Sequence, residues 1–127
     1  MTGRRLSLLL FDSITEALHS AGGAVIVCGS HGGASSGRYA LAARPLAVVF
    51  NDAGGGLDGA GYRALAMLQG AGIAACTVGH TTARIGEAAS TLATGVISHT
   101  NEGARGLGAL PGMACREWVE RLGAATA

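Results

Sequence analysis

Four side chains combine the chemistry to move a proton or hold a metal with a common setting in the sequence: His31, Asp52, His80 and His99. Each follows an apolar run within one to three residues. "AVIVC" leads into Gly29, Ser30, His31, Gly32 and Gly33, and "LAVVF" into Asn51 and Asp52; "IAACTV" leads into Gly79, His80, Thr81, Thr82 and Arg84, and "GVIS" into His99, Thr100 and Asn101. A turn calls for glycine, asparagine or aspartate for its backbone angles, but no turn requires an imidazole. Imidazole titrates near neutral pH, so beside an orienting carboxylate it can accept a proton and return it.

Two chemistries fit this set. In the first, His31 or His80 transfers the proton and Asp52 or Asn51 orients it, while Ser30, Thr81 or Ser98 supplies a hydroxyl. Ser30, Asn51, His99 and Asn101 then contact substrate. Gly32, Gly33 and the glycines after Asp52 offer backbone N–H groups to a carboxylate or oxyanion. Arg84 grips an anionic group with its planar fork. In the second, the three imidazoles and Asp52 ligate a divalent metal such as zinc. Neither H-x-x-x-H nor H-x-H spacing occurs, so no cofactor is predicted and the metal stands as the alternative.

The elements that must position these residues follow from hydrophobic patterning. Ala24 to Cys28, Leu46 to Phe50 and Ile73 to Val78 are apolar runs of strand length without polar alternation, the pattern of parallel strands covered on both faces. "GVIS" is read as a fourth strand, and Leu6 to Leu10 as a possible fifth. Helices are expected from about Ile14 to Ser20, within "ASSGRYALAARP", and from about Gly61 to Gln69 with Asp58 as its cap. The tail "MACREWVERL" is amphipathic, with Met113, Trp118 and Leu122 near one stripe. Ser13 and Glu16 have capping-box spacing, which accounts for them structurally. His19, on a helix face, needs no function. Alternating strands and helices predict one small doubly wound three-layer α/β domain over residues 1–127, with a mostly parallel sheet of four or five strands. In such sheets ligands bind outside the carboxyl ends of the strands, where His31, Asp52, His80 and His99 are expected to meet.

Composition narrows the chemistry. All nine basic residues are arginine, so a Schiff-base lysine, a phosphate-loop lysine and a Ser-Lys dyad are excluded within this sequence. Net charge is +1 with no basic run, which argues against nucleic acid and anionic membrane surfaces as partners. Cys28, Cys76 and Cys115 form no C-x-x-C pair and are odd in number, as expected of free thiols in a reducing cytoplasm. No apolar run approaches membrane-spanning length, and no signal-peptide pattern opens the sequence. "NDAGGGLDGAG" matches neither nucleotide-loop fingerprint. The expectation is therefore a cytoplasmic, homo-oligomeric enzyme using histidine acid/base chemistry, with hydrolysis of a small carboxylate- or amide-containing metabolite as the leading reaction. The alternatives are a non-catalytic metabolite-binding module and an assembly subunit.

Overall fold

The apolar runs become neighbouring strands because each carries β-branched or small side chains on both faces. In the computed structural model, which describes residues 6–17 and 21–126, the strands are β1 (Leu6–Phe11), β2 (Val25–His31), β3 (Ala47–Asn51), β4 (Ala74–Val78), β5 (Ile97–Thr100) and β6 (Ala124–Ala125). The helices are α1 (Ala34–Ala43), α2 (Ala64–Gln69), α3 (Ala88–Thr94), α4 (Glu102–Gly106) and α5 (Cys115–Arg121). The sheet has six strands in the order β5-β4-β3-β2-β1-β6. The expected α/β class with a mostly parallel sheet is correct, and the strand count is six instead of four or five. Leu6 to Phe11 joins the sheet beside β2, and the tail adds the two-residue strand β6 after its helix.

Side chains alternate along each strand into two cores. Val25, Val27, Ala47, Val49, Cys76 and Val78 point to one side, where they pack with Trp118, Val119 and Cys115 of α5. Ile26, Cys28, Val48, Phe50 and Ala75 point to the other, against Ala40 and Ala43 of α1 and Leu65 and Leu68 of α2. Helices thus cover both faces. Trp118 is fully buried and its indole N–H donates to the Leu107 carbonyl at 3.1 Å, which satisfies the one polar atom of that large side chain. Among the described residues no helix is long and apolar enough to cross a membrane.

One departure matters for the site. β1 to β4 are parallel, but β5 runs antiparallel to β4, with Thr77 opposite His99 and Cys76 opposite Thr100. "GVIS" resembles the inner strands only at Val96 and Ile97; the polar Ser-His-Thr that follows is half-buried, as suits an edge strand. The outer side of β5 is held by residues 112–114, through Ile97 N–H to the Met113 carbonyl and Gly112 N–H to the Ile97 carbonyl, each 2.8 Å.

Two helix boundaries also differ. Residues Ile14–Glu16 form a single 3-10 turn with the expected box, Ser13 Oγ accepting from Thr15 N–H and Glu16 Oε2 from Ser13 N–H. The expected helix stops there, because Ala17 is already extended; residues 18–20, with His19, lie outside the described residues. Asp58 caps nothing: it adopts a left-handed conformation, φ 53°, inside a 3-10 stretch over Leu57–Tyr62, and α2 starts at Ala64.

Candidate functional site

β3 and β4 are adjacent and parallel, so the residues leaving their carboxyl ends emerge side by side. Asp52 and His80 meet there. The Asp52 side chain is 9% exposed and its Oδ1 accepts the Gly54 N–H at 2.7 Å and the His80 backbone N–H at 3.1 Å. His80 Nδ1 lies 3.5 Å from the same oxygen, with the imidazole about half exposed. Burial pushes the Asp52 pKa up. The N–H of Gly54, the Ser98 hydroxyl, the N–H of His80 and its nearby charge outweigh that and hold the carboxyl below its ordinary value. Asp52 is thus kept as a carboxylate next to a ring that reaches solvent.

The backbone makes room for this pair. Ala53 and Gly54 take positive φ, 52° and 77°, which folds the chain back so that the Gly54 N–H meets the carboxylate. The imidazole rests on Gly54, where an added Cβ would lie 3.3 Å from Cε1. Gly61 packs directly on the Asp52 carbonyl, and a Cβ there would overlap it.

His80 also opens one end of a surface depression of about 530 Å³ formed with Thr81, Arg84, Ile85, Ser90 and Thr94. Arg84 is on its wall. Its guanidinium is 3.9 Å from Glu87, and its backbone N–H donates to Ser90 Oγ at 2.9 Å.

The other residues singled out in the sequence do not join this group in the way the strand ends suggested. His31 is exposed at the end of β2, past an irregularity in pairing, with its ring over Gly33; no hydrogen bond or ion pair among the described residues links it to Asp52, His80 or His99. Ser30 Oγ accepts the Ile14 N–H at 2.9 Å, tying the first turn to β2. Gly32 donates to the Asn51 carbonyl and accepts from Ala64 N–H, so its backbone donor is already used; it is glycine because a Cβ would press on the Gly61 carbonyl at 2.8 Å. Gly33 caps α1 through its backbone. Asn51 is buried, its amide donating to the Ala83 carbonyl and its oxygen accepting from Ala53 N–H.

The antiparallel turn of β5 corrects the expectation of one shared edge for His99 and Asn101. His99 lies level with Thr77 and stacks on Tyr62, ring centroids 4.1 Å apart, on the face covered by α1 and α2. Asn101 is carried to the start of β4. Its oxygen accepts from Ala75 and Ala104 N–H, and its amide donates to the Leu65 and Ile73 carbonyls, making it the cap of α4. Ser98, next to them, does reach the site: its hydroxyl is 2.9 Å from Thr77 Oγ1 and is among the groups that lower the Asp52 pKa.

Sequence reasoning passed over Ser90 and Tyr62. Ser90 is brought in by the return of the 79–86 loop to α3, which no spacing announces. Tyr62 is one of only two tyrosines in an aromatic-poor chain, and that scarcity was the available signal. Among the described residues, no three or more His, Cys, Asp or Glu side chains gather as a metal-ligand set.

Burial pushes the thiols up: Cys28 and Cys115 to about 12, and Cys76 well above its ordinary value, so none is poised as a nucleophile. Compared with models of known protein families, with curated proteins and with solved structures, the chain matches none. What the fold and site define is therefore a class of architecture, a mostly parallel α/β sheet with an acid-imidazole pair at the end of two central strands.

Proposed function

We propose that the protein is an enzyme in which the Asp52–His80 pair performs general acid/base catalysis on a small polar metabolite, by hydrolysis or a related proton-transfer step. The observation that supports this reading is the buried carboxylate of Asp52, fixed by two backbone donors with the His80 imidazole 3.5 Å away. A carboxylate facing Nδ1 favours the tautomer protonated there, which leaves the Nε2 lone pair free to take a proton from substrate or from a bound water. The imidazolium that results is stabilised by the same carboxylate and can return the proton to a leaving group. Among the described residues His31 has no such partner, so proton transfer is assigned to His80 alone. The depression beside His80, about 530 Å³, has the size of a small-metabolite site. A cytoplasmic setting and self-association, both drawn from composition and chain size, belong to the same proposal.

The test is conversion of a panel of small esters, amides and hydroxy acids, followed by NMR with wild-type protein, His80→Ala and Asp52→Asn. Turnover by the wild type should fall about 100-fold or more in both variants, the usual scale for a lost general base. Unchanged turnover in His80→Ala overturns the assignment. So does tight binding of a panel member that the wild type never converts, which is the behaviour of a binding module.

A further inference from the structure

We propose that the depression beside His80 selects a small carboxylate, and that Arg84 recognises it by exchanging its loose pairing with Glu87 for the ligand. This rests on the acid/base reading of His80 for what happens next, but not for the binding itself. The formal charge of the side chains lining the depression is one-sided. Of the hydroxyls around it, Thr94 donates to the Thr82 carbonyl at 2.5 Å and Thr82 to the Gly79 carbonyl at 2.7 Å, so both are committed to the loop. Ser90 Oγ accepts the Arg84 backbone N–H and keeps its own proton to donate, and Thr81 is exposed at the rim. These two hydroxyls and the Arg84 guanidinium are the side-chain donors left lining the space, beside the His80 imidazole. Among the described residues, no acidic side chain lines the depression.

Arg84 itself is arranged for exchange. Its backbone is pinned to Ser90, while its side chain is 82% exposed and its Nη1 is 3.9 Å from Glu87 Oε2, beyond hydrogen-bonding distance. Exposed pairs of this kind contribute little, so Glu87 yields readily to a better-placed anion. A guanidinium presents two parallel N–H donors that match a carboxylate. One arginine and no lysine give too little positive charge to favour a phosphate dianion, and an uncharged amide cannot replace the Glu87 carboxylate.

The experiment is a titration of the whole protein, followed by ¹H–¹⁵N spectra of the Arg84 side chain and of residues 81–90. The probes are the matched pair lactate and lactamide, with inorganic phosphate alongside. Saturable shifts with lactate are expected, with lactamide at least 10-fold weaker and phosphate weaker than lactate. Arg84→Gln should erase the preference, and Glu87→Gln should tighten lactate several-fold. Equal binding of lactate and lactamide, stronger binding of phosphate, no binding of lactate, or a preference that survives Arg84→Gln overturns the inference. The two proposals separate cleanly. A preference for lactate that depends on Arg84, with turnover intact in His80→Ala, defeats the acid/base reading alone. Turnover lost in His80→Ala, with no carboxylate preference, defeats this one alone.

Discussion

Replacing Asp52 by alanine should cost the fold more than any change at His80, although the two side chains form one pair. Oδ1 receives two backbone N–H groups, from Gly54 at 2.7 Å and His80 at 3.1 Å, and the side chain is 9% exposed. A hydrogen bond to a charged acceptor is worth about 1.5–3 kcal/mol net, and both bonds here are part-buried. Two such bonds give about 3–6 kcal/mol, or a fall in Tm of roughly 10–20 °C for a chain of this size. Asp52→Asn keeps an oxygen acceptor and loses only the charge, so about 1–2 kcal/mol is expected. The half-exposed His80 side chain contributes mainly to chemistry, and His80→Ala should stay within about 0.5 kcal/mol of wild type. Urea or thermal unfolding of the three variants, followed by Trp118 fluorescence, reads all of these. A loss below about 1 kcal/mol in Asp52→Ala would show that the turn stands without its carboxylate. A His80→Ala loss as large as that of Asp52→Ala would show that the ring, not the acid, organises the loop.

Further outcomes follow from the same geometry. Asp52 has a lowered pKa in the folded chain, so its stabilisation is fully present above its unfolded value near 4 and is lost as the pH falls through the folded value. Wild-type stability should therefore drop below about pH 4 by an increment that Asp52→Asn lacks, as measured by urea midpoints. Gly61→Ala and Gly23→Ala should differ sharply. The first drives a Cβ into the Asp52 carbonyl and should prevent native folding or cost more than about 3 kcal/mol, while the second has open space and bears only the left-handed backbone, about 1 kcal/mol. Cys28, Cys76 and Cys115 should resist a water-soluble disulfide reagent in the native state and react on unfolding; prompt labelling of any native thiol would contradict their burial.

The sheet was largely legible because apolar β-branched runs of four to six residues leave few alternatives. Ala24–Cys28, Leu46–Phe50 and Ile73–Val78 all appear as central parallel strands, within one or two residues except where β2 extends to His31. What patterning does not carry is direction. "GVIS" has the same local composition whether it pairs parallel or antiparallel, and its orientation is decided by where the 79–96 connection and the 112–114 segment leave room at the sheet edge. The two-residue strand β6 is equally silent, since Ala124 and Ala125 have no strand preference of their own and are held by backbone pairing to Leu6 and Ser7.

The direction of that one strand reorganises the candidate site. Reading polar residues at strand ends brought Asp52 and His80 together correctly in one respect: two neighbouring parallel strands must deliver their next residues to the same edge. The same rule, applied to β5, set His99 and Asn101 in the wrong place. His31 shows a different limit. It is at the expected edge, but β2 and β3 drift out of register between Val27 and His31, and the glycines after it are consumed in packing loop against loop. A polar residue at a strand end is therefore shared between two demands, closing the backbone of the turn and facing a ligand. Asn51, Ser30 and Asn101 satisfy the first with every distance near 3 Å. His80 does not: its backbone closes the turn on Asp52, and its ring is left for solvent. That separation of backbone duty from side-chain freedom is what distinguishes His80 from the other candidates, and it is invisible in a sequence where all of them follow an apolar run.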